Sequence, residues 1–238
     1  MLSERNQDGC KSCDFTTFKL HQKAGFNDFV TRCPCFYGEP TGGRDGGGVR
    51  LDSLERIGVP AADRACVAAT MTTEQKRAHL KATELLGSGS SVLLIGAAGR
   101  GKTGLAVCLL RDFAQSRATV VVAWCHVETW LRKIRETYDA KAEGVTESSL
   151  LRELLEADFA VIDDLGAHQL TDWSRGMLYA VVQGRDSEAR PTVYTSNLPL
   201  GIQPGVDSIQ SVYGERIYSR LSRCAHIPIS GPRDLRKR

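Results

Sequence analysis

Gly96-Ala97-Ala98-Gly99-Arg100-Gly101-Lys102-Thr103 is the stretch that decides the fold of this 238-residue chain. It fits the pattern G-x-x-x-x-G-K-[ST], and it follows a short apolar run and precedes a helical pattern, as that motif requires. Glycines let backbone N–H groups surround an anion, Lys102 reaches the outer phosphates, and Thr103 offers a hydroxyl to magnesium. The stretch therefore predicts a phosphate-binding loop, and the residues expected to hold ATP are Gly96, Gly99, Arg100, Gly101, Lys102 and Thr103.

Short β-branched runs alternate with helical patterns along the chain around this loop. Strands are predicted at Ser91–Ile95, Thr119–Trp124, Phe159–Asp163, Thr192–Ser196 and Ala225–Ile229. Helical spacing of apolar residues is seen in Thr103–Ala114, Val127–Tyr138 and Trp173–Arg185. Strands separated by helices predict an α/β fold with a mainly parallel sheet, covered by helices on both faces.

Two adjacent carboxylates, Asp163 and Asp164, end the apolar run that starts at Phe159. An unpaired charge is costly at the end of a buried strand, and a bound magnesium ion would explain why two carboxylates stand there. We expect Asp163 to hold the metal and Asp164 to activate the attacking water, where many ATPases have a glutamate. The alternative is a strand end followed by a turn at Leu165-Gly166.

The N-terminal part of the chain carries a separate cysteine pattern. Five glycines within residues 41–48 predict a flexible boundary between a module at 1–48 and an ATPase domain at 49–238. Four thiolates in the spacing C-x2-C then C-x-C are typical of a zinc site that folds a small module, and the ligands predicted are Cys10, Cys13, Cys33 and Cys35. Free surface thiols, or a site in which His21 replaces one sulfur, are the alternatives.

Composition places limits on the function. Apolar residues make up 42% and charged residues 25%, as in ordinary globular proteins, and the net charge is +3. No apolar run approaches the ~18 residues that a membrane helix needs. The first residues lack the apolar segment of a secretory signal, so we expect a cytoplasmic protein whose cysteines are thiols or metal ligands.

Further motifs follow in a fixed order: Ile162-Asp163-Asp164-Leu165-Gly166, then Thr195-Ser196-Asn197-Leu198-Pro199, then Glu215-Arg216-Ile217-Tyr218-Ser219-Arg220-Leu221, then Gly231-Pro232-Arg233-Asp234-Leu235-Arg236. Together with the phosphate loop, this order resembles the DnaC/IstB-like AAA+ ATPases over roughly residues 50–238. The resemblance implies an AAA+ fold without a large C-terminal lid. It also implies a replicative helicase loader that binds single-stranded DNA and a hexameric helicase.

The resemblance also implies roles for particular residues. Asn197 would orient water beside Asp163, and Arg220 would be the arginine finger that acts on the ATP of a neighbouring subunit, so the subunits would self-associate. Arg216 is the second candidate for the finger, and a solvated helix face is the alternative for both arginines. Arg236 would contact the nucleotide from the C-terminal end, with Arg233 as the other candidate.

A segment rich in cations and aromatics, Glu128–Tyr138, matches the region that contacts the DNA strand in DnaC-like proteins. Lys133 and Arg135 are the predicted DNA contacts because single-stranded DNA binding needs cations for its backbone. Four apolar residues of the segment have the spacing of a buried helix face, and these are Trp130, Leu131, Ile134 and Tyr138.

Two other functions fit the same residues. One is a transposition helper ATPase of the IstB type, which shares the ATPase core and recruits a transposase. The other is a non-catalytic ATP switch, because Asp164 stands where a glutamate is usual. The zinc-type cysteine pattern mildly favours the helicase loader over the transposition helper.

Overall fold

A five-stranded parallel sheet is the centre of the fold in the computed structural model, which describes residues 18–21, 29–32, 51–66, 68, 71–116, 120–138, 145–166 and 170–230. Its strands are β3 (Val92–Ile95), β4 (Val122–His126), β5 (Phe159–Leu165), β6 (Thr192–Ser196) and β7 (Ala225–Pro228). The helices are α1 (Leu51–Arg56), α2 (Thr73–Gly87), α3 (Lys102–Gln115), α4 (Val127–Glu136), α5 (Glu147–Glu156), α6 (Asp172–Ser187), α7 (Ile209–Tyr213) and α8 (Glu215–Leu221). Two further strands, β1 (Phe18–His21) and β2 (Phe29–Arg32), form an antiparallel hairpin.

The strand order β4-β5-β6-β3-β7 separates the phosphate-loop strand β3 from the carboxylate strand β5 by one strand, β6. Side chains alternate between the faces of a strand, and each face has its own buried cluster. Val92 and Leu94 pack with α2 and α3, whereas Leu93 packs with helices α4 to α8. The predicted parallel sheet covered on both faces is therefore confirmed.

The element boundaries agree with the sequence in most places, and the main differences concern one strand and two helices. Strand β4 begins at Val122 and continues to His126, two residues beyond the predicted end. Helices α2 and α5 were not predicted, although each begins with a capping box, at Thr72 and at Thr146. The pattern Thr72-x-x-Gln75 was a sequence signal for α2, whereas α5 has Ser149 at the position where the signature has glutamate or glutamine.

Several predicted features lie outside the described residues. These are the zinc ligands Cys10, Cys13, Cys33 and Cys35, the glycine-rich segment 41–48, and the C-terminal arginines Arg233 and Arg236. Within the part of the chain that the structure describes, no group of histidine, cysteine or acidic residues has the arrangement of a metal site. The described helices are also all too short or too polar to cross a bilayer.

Candidate nucleotide site

The loop between β3 and α3 has the backbone geometry of a phosphate cradle. Gly99 and Gly101 have φ angles of 73° and 78°, in the left-handed region that glycine adopts without strain. A Cβ on Gly96 would lie 2.1 Å from the carbonyl oxygen of Ile229, so the start of the loop has no room for a side chain. The glycines of the motif are therefore required by geometry, as the sequence predicted.

Lys102 begins helix α3 and lies folded into the loop with 7% of its surface exposed. Its Nζ donates to the carbonyl oxygens of Gly96 at 2.7 Å and Ala97 at 2.9 Å, and to Oδ1 of Asn197 at 2.5 Å. The ammonium group is thus held by neutral oxygens at the point where the phosphates of a nucleotide would lie. Arg100 contributes its backbone, whose carbonyl accepts from Gln75 Nε2 at 3.2 Å and so ties the loop to α2.

Asp163 lies at the end of β5 and is 2% exposed. Its Oδ1 accepts from the hydroxyl of Thr195 at 2.7 Å and from the hydroxyl of Thr103 at 3.2 Å. Burial, together with the nearby Asp164 carboxylate, raises the pKa of this carboxyl to about 6, although the two hydroxyls and His126 act to lower it. Carboxylate and hydroxyl oxygens are ligands that Mg²⁺ prefers, so Asp163 and Thr103 form a donor set that fits this ion.

Asp164 differs from Asp163 because the pairing of β5 with β6 is interrupted between Ile162 and Leu165. At this irregularity Asp164 adopts a φ of 65°, and its backbone N–H donates to the Thr195 hydroxyl at 2.9 Å. Its Oδ1 accepts from Nδ2 of Asn197 at 3.3 Å. The carboxylate of Asp163 therefore contacts two threonine hydroxyls, whereas that of Asp164 contacts the Asn197 amide. This difference is consistent with the separate roles predicted for them, metal binding and activation of water.

Asn197 directly follows β6 and bridges the two halves of the site. Its Oδ1 accepts from Lys102 and its Nδ2 donates to Asp164, which places the amide between the phosphate loop and the carboxylates. The strand order explains this position, because β6 separates β3 from β5 and the carboxyl ends of parallel strands meet at one edge. The family resemblance implied that Asn197 lies on the strand beside Asp163, and in the structure Asn197 is the residue directly after that strand, β6.

His126 is a member of this cluster that the sequence reasoning missed. It ends β4 directly opposite Asp163, and its Nε2 lies 3.9 Å from Oδ2 of Asp164. The predicted strand stopped at Trp124, two residues too early. A histidine at the end of a strand that neighbours the acidic strand was the available signal.

Arg220 and Arg216 lie on α8, away from the cluster just described. Their guanidinium carbons are 4.9 and 5.9 Å from the ring centre of Tyr179 on α6. Arg220 comes five residues before β7, whose first residue Ala225 pairs with the first residue of β3, whereas the phosphate loop follows the last residue of β3. Within the described residues, no contact joins Arg220 to its own phosphate loop.

The predicted DNA residues lie on α4, where both Lys133 and Arg135 are exposed. Of the four residues predicted to be buried, three are, with exposed fractions of 6% or less, and these are Trp130, Leu131 and Ile134. Tyr138 is 57% exposed, so its predicted burial is wrong. The helix ends at Glu136, two residues before the helical spacing would have turned Tyr138 inward.

Tyr138 instead belongs to a surface cluster that includes a residue the sequence reasoning missed. The indole N–H of Trp173, on α6, donates to the Tyr138 hydroxyl at 3.1 Å, and the two rings meet edge to face. The Arg135 guanidinium carbon lies 4.9 Å from the centre of the Trp173 ring. We call Arg135, Tyr138 and Trp173 the aromatic platform. Trp173 was outside the segment singled out, and no signal in the sequence linked it to α4.

Asp163→Asn is expected to stabilise the metal-free protein above pH 6 by about 2 kcal/mol. The pKa of Asp163 rises from an ordinary 3.8 to about 6 on folding, so its protonated form stabilises the fold below pH 4. That contribution is lost as the pH rises through 6, whereas asparagine keeps the accepting Oδ1 and carries no charge. Denaturant unfolding in EDTA from pH 4 to 8 measures this, with the exposed Asp207→Asn as control. If the free energy of unfolding changed with pH in the same way for the wild type and for Asp163→Asn, the expectation would be contradicted.

Comparison with known proteins gives one family match. The family model described as IstB-like ATP binding protein matches residues 66–229. This range contains the phosphate loop, both carboxylates, Asn197 and Arg220.

Similar proteins match over parts of their length. The Escherichia coli K12 uncharacterized protein YdaV is 24% identical over 176 residues, which are 71% of this chain and 66% of YdaV. The replicative helicase loader DnaC of the same strain is 24% identical over 138 residues, 58% of this chain and 52% of DnaC. The crystal structure of the DnaC helicase loader aligns with a TM-score of 0.55 and 22% identity, covering 67% of this chain and 92% of the other. The chain thus spans about two thirds of YdaV and half of DnaC, and the structural likeness shows a shared fold.

Proposed function

We infer the function from one premise: this chain belongs to the IstB-like ATP binding protein family. We propose that it is a cytoplasmic AAA+ ATPase that loads a hexameric replicative helicase onto single-stranded DNA. The observation that carries the ATPase part is the cluster at the carboxyl edge of the sheet, where Asn197 contacts both Lys102 and Asp164 and where Thr103 contacts Asp163. The similarity to DnaC supports the helicase part.

Each residue of the cluster has a distinct task in this proposal. The loop amides and Lys102 bind the phosphates, and Thr103 and Asp163 hold Mg²⁺, which neutralises phosphate charge when bound. Asp164 accepts a proton from the attacking water, and Asn197 keeps that carboxylate in place through the bond from Nδ2. His126 lies beside this carboxylate, with its Nε2 3.9 Å from Oδ2 of Asp164.

Lys102→Ala is expected to weaken ATP·Mg²⁺ binding by about 10- to 100-fold and to abolish phosphate release, because a buried cation no longer meets the phosphates. Isothermal calorimetry and a phosphate-release assay with single-stranded DNA measure the two effects. Lys76→Ala removes an equal charge from an exposed position on α2 and serves as control. A folded wild type that takes up no adenine nucleotide would overturn the ATPase proposal. A wild type that binds ATP but never exceeds the variant in phosphate release would favour the non-catalytic switch.

The aromatic platform supports DNA binding, together with Lys133. Aromatic rings on which bases stack, next to cations that meet the phosphates, are the combination that single-stranded DNA sites use. Tyr138 and Trp173 supply the rings, and Arg135 and Lys133 supply the charges. We therefore extend the proposed DNA contact from α4 to the start of α6.

Trp173→Ala is expected to weaken binding of a thymidine oligonucleotide by about tenfold, because one stacking surface is lost and Arg135 loses its support. Arg135→Ala should weaken binding and also reduce its salt dependence. Arg77→Ala on α2 is the charge-matched control, since Arg77 is exposed and distant in sequence. Fluorescence anisotropy at two salt concentrations measures all three. Wild-type affinity in Trp173→Ala would remove the platform from the proposal.

A transposition helper of the IstB type remains the second candidate, because the matching family carries that name. The two functions differ in partner. Affinity purification of the tagged chain from its native host should recover a hexameric helicase if it is a loader. Recovery of a transposase without a helicase would replace the loader proposal.

A zinc module over residues 1–48 is also part of the proposal. Strand β1 begins five residues after Cys13 and β2 ends one residue before Cys33, and Phe18 pairs with Arg32. One cysteine pair therefore precedes the hairpin in the chain and the other follows it. His21 pairs with Phe29 at the turn side of the hairpin, and it stays the alternative ligand. Metal analysis should find one zinc per chain, lost in Cys10→Ser.

A further inference from the structure

Tyr179 occupies an unusual position between two helices. It lies in α6, and both guanidinium groups of α8 approach its ring, Arg220 at 4.9 Å and Arg216 at 5.9 Å from the centroid. The Tyr179 hydroxyl donates to Oε1 of Gln183 on its own helix at 3.4 Å. The ring, and not the hydroxyl, is therefore the part of Tyr179 that contacts α8.

Arg220 has little else to hold it. Its Nη1 donates to the carbonyl oxygen of Arg216 at 2.8 Å, and its buried Nε has no hydrogen-bond partner in the structure described. No described carboxylate forms an ion pair with it. Arg223, three residues later, is different because its Nη2 lies 2.5 Å from Oδ2 of Asp186. One arginine at this end of α8 is neutralised by its own chain, and Arg220 is not.

An aromatic ring and a carboxylate hold a guanidinium group with different consequences. A carboxylate would neutralise the charge and compete with a phosphate for the same N–H donors. The face of a ring attracts the cation weakly and leaves most of its donors and its charge available. A side chain that must present positive charge to a phosphate is therefore better held by a ring.

We propose that Tyr179 is a positioning residue that holds Arg220 for the ATP of the neighbouring subunit. This inference rests on the proposed ATPase function and on Arg220 as the finger. It also favours Arg220 over Arg216, because Arg220 is nearer to the ring and half-buried, whereas Arg216 is exposed. A preorganised guanidinium loses less entropy when it meets the transferred phosphoryl group, so the ring contributes to turnover and not to ATP affinity.

The experiment compares Tyr179→Leu, Tyr179→Phe, Arg220→Ala and the double variant of Tyr179→Leu with Arg220→Ala. Phosphate release by the full chain is measured with ATP, Mg²⁺ and a thymidine oligonucleotide, and thermal unfolding checks that each variant folds. Tyr179→Leu should lower kcat about tenfold and leave KM for ATP within about twofold. Tyr179→Phe keeps the ring and should retain kcat. The double variant should be no slower than Arg220→Ala, because both changes act on the same step.

Three results would overturn the inference. Equal losses in Tyr179→Leu and Tyr179→Phe would assign the effect to the hydroxyl. A double variant slower than Arg220→Ala by the full factor of Tyr179→Leu would show that Tyr179 acts through something else. Wild-type kcat in Tyr179→Leu, while Arg220→Ala is slow, would remove Tyr179 and leave the ATPase proposal intact. The ATPase proposal itself fails separately, in the Lys102→Ala comparison.

Discussion

Arg220→Ala is expected to bind ATP as the wild type does and to lose DNA-stimulated turnover by about 10³-fold, the usual contribution of an arginine finger. The physical reason is that Arg220 packs against Tyr179 and, within the described residues, has no contact with its own phosphate loop, so the proposal assigns it to the nucleotide of another subunit. In the variant, the negative charge that develops on the transferred phosphoryl oxygens is no longer stabilised by a guanidinium group. Calorimetry measures binding, and steady-state phosphate release measures turnover.

Mixing two inactive variants tests action between subunits. Arg220→Ala subunits retain Lys102 and can hydrolyse ATP if a neighbour supplies the arginine, and Lys102→Ala subunits retain Arg220. A mixture of the two should therefore regain turnover that neither shows alone. Arg223→Ala, whose arginine is paired with Asp186, is the matched control and should keep turnover. Turnover in Arg220→Ala alone would show that another residue is the finger.

Arg185→Leu is expected to lower the free energy of unfolding by about 4 kcal/mol. The Arg185 side chain is fully buried, and its guanidinium donates to the carbonyl oxygens of Leu154, Ala157 and Pro191 and to the Thr192 hydroxyl. Burial lowers the pKa of Arg185 to about 10, so it is still charged at neutral pH. Leucine leaves the buried Leu154 carbonyl without this donor, and the carbonyls of Ala157 and Pro191 keep only longer hydrogen bonds, from Arg190 Nη1 and the Ala160 N–H, both at 3.4 Å.

Denaturant unfolding at pH 7 measures this loss. Arg132→Ala is the control, because that arginine is exposed and its ion pair with Glu136 lies on the surface across one helical turn. We expect the control to change the free energy of unfolding by less than about 0.5 kcal/mol. A loss below about 1 kcal/mol in Arg185→Leu would mean that water replaces the guanidinium in this position.

The local chemistry of the nucleotide site was predictable from the sequence because each part lies in one short segment. The phosphate loop is one contiguous segment, and so are the two carboxylates of β5. The residue types in each segment indicate whether it binds phosphate or magnesium. Asn197 was placed beside Asp163 only through the family resemblance. The zinc ligands and Arg236 stay predictions, since they lie outside the described residues.

The remaining features depend on contacts between distant segments, which no local pattern records. Trp173 reaches Tyr138 across 35 residues, and Tyr179 reaches Arg220 across 41. His126 lies in the cluster because β4 extends two residues beyond the end that its apolar run predicted. Asp164 has a different orientation from Asp163 because the pairing of β5 with β6 is irregular at that residue. Tyr138 was wrongly predicted to be buried because the helical spacing was extended past the end of α4.

Helix α6 carries both Trp173 and Tyr179, six residues and about 9 Å apart on one stiff rod. Under the DNA contact and the arginine finger proposed above, single-stranded DNA would stack on the first ring and the guanidinium of Arg220 would rest on the second. A shift of α6 on DNA binding would then also shift Arg220, so this helix would couple DNA binding in one subunit to ATP hydrolysis in its neighbour.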